Sequence, residues 1–234
     1  GRHYVLIDTA GVRRRARIDD PLEKFSVVKT LQAIDEANVV ILVIDAQAGV
    51  AEQDASLAGY ALEVGRALVI AVNKWDAVKE TDRAWARREL ERKLSFLEFA
   101  RVHYISAREA VGVGSLFPSV DEAYASANRT LTTPKLNRVL QEAVTATPPP
   151  LARGRRARPK YAHQGGKNPP RVVIHGNQLT SLSKSYRRYL ANTFRKAFHL
   201  IGTPVWIECR QEQNPYQEKM VRGRAGRQQS SRKH

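Results

Sequence analysis

Val69-Ile-Ala-Val-Asn-Lys-Trp-Asp76 is the stretch on which the fold turns. Four apolar residues run without alternation into Asn73, Lys74, Trp75 and Asp76. An unbroken apolar run of this length suits a strand buried on both faces, as in a parallel sheet. Its abrupt polar end marks the carboxyl edge of that sheet, where open α/β folds bind their ligands. The Asp76 carboxylate is able to accept two hydrogen bonds side by side. That suits a base with a ring N–H next to an amino group, which guanine has and adenine lacks. Asn73 has the atoms to tie neighbouring loops together, and the Lys74 stem the length to lie along a purine ring. The tetrapeptide is moderately specific alone; its weight depends on how the neighbouring strands end.

Those neighbours carry matching chemistry. His3-Tyr-Val-Leu-Ile-Asp8 reads as a buried strand ending in an acid, with Thr9-Ala10-Gly11 directly after it. A carboxylate there suits Mg²⁺ held through water, and a glycine lets its backbone N–H approach a terminal phosphate. Asn38 to Asp45 is a further apolar run ending in an acid. Val102-His-Tyr-Ile-Ser106-Ala107 is a fourth, ending in small residues; the Ala107 N–H would face the guanine carbonyl oxygen and reject an amino group. Helical spacing appears over 23–37, with Phe25, Val28, Leu31 and Ile34 on one side, and over 53–64, 85–99 and 116–128. Strands alternating with helices predict a parallel α/β sheet. Arg13-Arg14-Arg15 reads as a solvated basic loop.

The 234 residues allow one large domain or two ordinary ones, and 42% hydrophobic content allows a real core. No apolar run reaches the roughly 18 residues of a membrane span. No signal-peptide pattern opens the chain. The lone Cys209 excludes an internal disulfide framework and fits a cytoplasmic protein. Charge is divided unevenly. Residues 1–134 hold 18 Lys/Arg against 19 Asp/Glu, whereas residues 135–234 hold 21 against 4, giving net charges of −1 and +17. A unit this basic suits a phosphate backbone.

In the basic half, Thr133-Pro134 opens a helix that Pro148-Pro149-Pro150 stops. Arg153, Arg155, Arg156, Arg158 and Lys160 follow in a segment without apolar pattern; with Lys167 they are the candidate RNA contacts. Strands are expected at 161–164, 171–175 and 203–210. A helix at 184–199 has Tyr186, Leu190, Phe194 and Phe198 facing inward. The order is α-β-β-α-β. Residues 220–234 read as a basic tail, disordered alone. His163 and His175 have no ligand company and suggest no metal site.

The three strand ends at Asp8–Gly11, Asn73–Asp76 and Ser106-Ala107 match the later motifs of a GTPase domain in order and spacing. The runs Asp-Thr-Ala-Gly-Val-Arg-Arg-Arg, Glu23 to Ile34, Val43 to Ala46 and Gln53-Asp54 then resemble the second GTPase domain of the Der (EngA) family of bacterial ribosome-assembly GTPases. Tyr161 to Pro170 and Ile174 to Asn177 resemble that family's closing KH-like domain. The likeness reaches to about residue 217. The GxxG clamp of ordinary KH domains is missing, which argues against an Era-like protein and against RNA reading by that route.

The phosphate loop GxxxxGK[ST] occurs nowhere in these residues. The expected fold is therefore α/β: a P-loop GTPase-type parallel sheet lacking the phosphate-loop strand (1–130), then a small α+β KH-like domain (131–218) and the tail (219–234). Such a chain is expected to be the C-terminal part of a longer protein, poorly stable over 1–130 and unable to bind GTP well alone. The resemblance implies GTP or GDP with Mg²⁺ as ligands, K⁺ near the absent phosphate loop, and the large-subunit precursor with its rRNA as partner. It implies nucleotide contacts from Asp8, Thr9, Ala10, Gly11, Asn73, Lys74, Asp76, Ser106 and Ala107, with Asp8 serving the metal, in a monomer. Val12 stands where other GTPases orient water with glutamine, so no catalytic residue is assignable. Ala110 stands where the family usually has glycine.

Overall fold

The computed structural model describes residues 3–9, 21–152 and 155–211. The first half runs α1 (Pro21–Glu36), β1 (Val39–Asp45), α2 (Glu52–Glu63), β2 (Ala67–Asn73), α3 (Glu80–Lys93), β3 (Arg101–Tyr104) and α4 (Leu116–Ala127). β2 lies between β1 and β3, parallel to both. All of Ala67 to Val72 is buried, as an unbroken apolar run requires when both faces are covered. Alternation then sorts its side chains. Leu68, Ile70 and Val72 join Leu42, Ile44, Ala58, Ala61 and Leu90 under α2 and α3. Ala67, Val69 and Ala71 join Leu116, Ala123 and Ala127 of α4 on the other face.

Two expectations change here. The long helix expected over 85–99 starts earlier and stops at Lys93, and a tight turn at Ser95–Leu97 follows. Acids in its first turn and Arg92 and Lys93 in its last suit the helix dipole, while Leu94 and Leu97 reach the core from the turn. The strand expected over 3–8 does not form. Residues 3–9 have no regular secondary structure, and Val5 and Leu6 are 92% and 77% exposed. Tyr4 instead rests on α4, its ring 5.3 Å from Phe117 and its hydroxyl donating to Asp121 at 3.0 Å. A strand persists only where a neighbour takes up its backbone groups. Among the described residues nothing pairs with the outer edge of β1, which leaves Val43 57% exposed. On α1, Ile34 is buried but Val28 is exposed.

The second half runs α5 (Thr133–Ala146), β4 (Leu151–Ala152), β5 (Arg155–Arg156), β6 (Arg158–Gly166), β7 (Arg171–Asn177), α6 (Lys184–Ala197) and β8 (Trp206–Gln211). β7 is central, antiparallel to β6 and parallel to β8. For the three-stranded sheet and its two helices the α-β-β-α-β order holds. The arginine segment, expected to be irregular, forms the short β4–β5 hairpin and the start of a long β6, with Ala157 sunk in the core. The last strand starts at Trp206, later than expected. Ser183 caps α6, accepting the Tyr186 N–H at 3.2 Å. Leu136, Val139, Leu140, Tyr186, Leu190, Phe194 and Phe198 close over Ala162, Val172 and Ile174 on one sheet face. The expected tail lies outside the described residues.

The halves meet at the start of β2. Gly202 accepts the Leu68 N–H at 2.6 Å and donates its own N–H to Phe99 at 2.9 Å, in a backbone conformation (φ +69°) that favours glycine. The Arg195 guanidinium stacks 3.9 Å from the Phe99 ring. The junction therefore uses the amino-terminal edge of the first sheet and leaves the carboxyl edge free.

Candidate functional site

The carboxyl edge gathers the ends of β1, β2 and β3. Asn73 is its hub. Its Oδ1 accepts the Lys74 N–H at 2.8 Å and the Ala107 N–H at 2.9 Å. The Trp75 N–H donates to the Ile105 carbonyl at 3.1 Å, and Ser106 bridges Val111. These bonds fasten the loop after β2 to the loop after β3, which a base-reading pocket between two loops needs. Ser106 is buried, and its hydroxyl accepts the Glu109 N–H at 3.2 Å.

Lys74 adopts a left-handed backbone (φ +62°) that opens the turn Trp75–Ala77. Its ammonium meets Asp45 at 2.7 Å. Burial pushes the Asp45 carboxyl up, but the Lys74 hydrogen bond and the Gln47 and Ala48 N–H groups outweigh it and hold the group below its ordinary range. Asp76 keeps 17% of its side-chain exposure, and its Oδ2 accepts from the Arg108 guanidinium at 2.9 Å. Hydrogen bonding to Glu109, then the charge of Asp76, raises the Arg108 pKa. A base seated on Asp76 would replace the Arg108 donor. It would also compete with Asn73 for the Ala107 N–H.

Trp75 turns away from the edge and packs against Tyr104 with ring centroids 4.3 Å apart and planes tilted by 45°, with Arg87 over both rings at 5.6 and 4.9 Å. This packing anchors the loop to α3 and keeps Asp76 at the rim. Four partners were not visible in the sequence: Asp45 for Lys74, Arg108 for Asp76, and Tyr104 and Arg87 for Trp75. Each depends on elements brought together from distant positions, so spacing gives no sign of it. Ala110 has φ +55° and Gly112 φ +75°. Ala110 thus holds a left-handed position of the kind that favours glycine.

The expected phosphate end is not assembled with this cluster. Asp8 and Thr9 are exposed in the irregular segment outside the sheet. Ala10 and Gly11 lie outside the described residues. No group of three or more His, Cys, Asp or Glu suited to a metal occurs among the described residues. Asn73, Asp76, Ser106 and Ala107 come together at one sheet edge, whereas Asp8 and Thr9, expected to serve Mg²⁺ and phosphate, lie apart from them and do not by themselves form a site. A cleft of about 660 Å³ lies elsewhere, between α6 and the turn after α3.

Of the basic candidates, Arg156, Arg158, Lys160 and Lys167 are exposed on β5, β6 and the turn after β6. Arg153 and the Arg155 side chain lie outside the description.

Residues 1–126 match the elongation factor Tu GTP binding domain, and residues 130–210 match the KH-domain-like region of EngA bacterial GTPase enzymes, C-terminal. The GTPase Der of Halorhodospira halophila is 58% identical over 219 residues, 94% of this chain and 46% of that protein. The chain belongs to the Der (EngA) GTPase family. The GTPase Der of a Psychrobacter species is 55% identical over 216 residues, 92% of this chain and 46% of that protein. The chain thus spans about half the length of the Der proteins it matches. A solved Era structure from Aquifex aeolicus, bound to GDP and AlF4⁻, covers 87% of the chain with a TM-score of 0.43 at 15% identity, too distant to add to the assignment. Family membership accounts for the parallel sheet followed by a KH-like α+β unit. Among the described residues no helix is long and apolar enough to cross a membrane.

Proposed function

We propose that this chain supplies the guanine-reading half of a GTP site in a Der-type GTPase that acts in assembly of the large ribosomal subunit. The observation that carries this is the Asn73 tie, which holds the Asn73–Asp76 loop and the Ser106-Ala107 loop together at the carboxyl edge. Asp76 reads the base and Lys74 lies beside it; Asp8 and Thr9, exposed outside the sheet here, complete the phosphate end with Ala10 and Gly11 only when the phosphate-loop strand is present. Hydrolysis needs a GxxxxGK[ST] loop, which these residues lack. With that loop, GTP or GDP is held with Mg²⁺, and K⁺ supports the phosphates. Without it the 234-residue chain binds GTP negligibly. Titration with a fluorescent GTP analogue tests this: no saturable binding is expected, and micromolar affinity would refute it.

Residues 1–130 form the partial GTPase unit in this reading and 131–218 the RNA-facing unit. The partner is rRNA of the large-subunit precursor, in the cytoplasm, met by a monomer through Arg153, Arg155, Arg156, Arg158, Lys160 and Lys167. Binding should weaken with salt. RNA affinity that survives charge reversal of Arg155, Arg156 and Arg158 would remove the basic segment from the interface. A second reading, an RNA-binding scaffold with a vestigial nucleotide site, is favoured by the net +17 of residues 135–234. A phosphate-loop segment upstream in the reading frame supports the first reading; its absence supports the second.

A further inference from the structure

The second sheet has two faces of opposite character. Helices α5 and α6 pack on one, through Ala162, Val172, Ile174, Ile207 and Cys209. The register places nine residues on the other in three rows. Tyr161, His175 and Arg210 form the first; His163, the buried Val173 and Glu208 the second; Gly166, Arg171 and Trp206 the third. A face that merely solubilises a sheet would carry mixed charges and small polar groups. Here the rings are ordered against one another. Tyr161 and His175 are parallel within 3° at 4.5 Å, and His163 lies 5.1 Å from His175. Tyr161 is 44% exposed at the open end of the stack. The face's one acid, Glu208, pairs with Arg210 at 2.8 Å and lies 3.8 Å from Arg171. Those two arginines outnumber it, and exposed Arg158 and Lys160 extend the positive charge along β6.

We infer that this helix-free sheet face binds single-stranded RNA, with a base stacking on the outer side of Tyr161 to extend the parallel Tyr161–His175 pair, which His163 flanks, while Arg158 and Lys160 hold the phosphates beside it. Every base has a π-face, so such a platform tolerates sequence while still requiring bases. Duplex RNA hides its base faces and is not the ligand. The inference rests on the RNA-facing reading of the second half. It adds that the bases, and not only the backbone, are contacted, on the side of the sheet away from the helices.

The test uses the 234-residue chain at low salt, with fluorescence anisotropy. The probes are a labelled single-stranded RNA of about 12 nucleotides and an abasic ribose-phosphate oligomer of the same length. Tyr161→Ala should weaken RNA about tenfold and leave the abasic oligomer unchanged, whereas Tyr161→Phe should retain RNA affinity. Arg156→Glu with Arg158→Glu should weaken both probes. Tyr161 lies outside the core, and circular dichroism of each variant checks that the fold persists. If RNA binds and Tyr161→Ala is silent, or if the abasic oligomer binds as tightly as RNA, this inference alone falls. If neither probe binds the unaltered chain, the RNA-facing reading falls with it.

Discussion

Replacing Asn73 by alanine isolates the tie that makes the candidate base site. Asn73 Oδ1 accepts two backbone N–H groups, from Lys74 at 2.8 Å and from Ala107 at 2.9 Å. A typical intramolecular hydrogen bond contributes about 0.5–1.5 kcal/mol net. Both bonds lie where solvent reaches, so water partly replaces the lost acceptor. The expected cost is about 1–2 kcal/mol, near the lower half of the summed range. The β1–β2 ladder, including the Ala46 N–H to Asn73 carbonyl bond at 2.9 Å, uses backbone only and should survive. The effect should therefore be local. Amide hydrogen exchange reads it directly: the Ala107 and Lys74 amides should exchange about tenfold faster, because about 1.4 kcal/mol is a factor of ten. The Val172 amide in the second sheet should not change. Urea unfolding should show a lower midpoint with an unaltered slope. Unchanged exchange at Ala107 in Asn73→Ala would refute the claim that Asn73 joins the two loops.

Three further outcomes follow from the same geometry. Ala110→Gly should stabilise the protein by about 1 kcal/mol, since alanine at φ +55° bears a left-handed penalty that glycine escapes; a lower urea midpoint would contradict this. Gly202→Ala should cost about 3 kcal/mol, because a Cβ there would lie 2.7 Å from Ala123 Cβ and 2.9 Å from the Leu68 carbonyl at φ +69°; the Leu68 amide should lose its protection, and normal protection there would contradict the junction described. His103 is held between the Ser115 and Ser119 hydroxyls at 2.9 and 2.8 Å, and burial, then the Arg101 charge, pushes its pKa down. Its folded pKa lies below the unfolded value of about 6.5, so its contribution is present above that value and declines as pH falls through and below it. Urea midpoints measured between about pH 7.5 and 5.5 should drop less steeply in His103→Asn than in the unaltered chain.

How much was legible in the sequence depended on whether a segment's structure is local. The burial of Ala67 to Val72 followed from an unbroken apolar run. The inward face of α6, with Tyr186, Leu190, Phe194 and Phe198, followed from a four-residue spacing. Both patterns depend only on backbone periods. The expected strand over 3–8 has the same apolar look as β1 and β2, yet it is exposed and irregular. Its pattern says that it would be buried if paired, not that a partner is at hand. The arginine segment differs in the opposite sense: its charges mask the β pairing of the hairpin and the burial of Ala157.

The division is physical. The sequence alone determined which residue types could read guanine, that the phosphate loop is not among these residues, and that positive charge gathers in the second half, because all three are properties of composition and order. Only the tertiary structure decided that Asn73 ties the two loops, that Arg108 holds Asp76, that Lys74 is drawn to Asp45, and that Tyr161 stacks on His175, with His163 flanking the pair, on a helix-free sheet face. Those relations join residues separated by many positions, and strand register and helix packing set them in space.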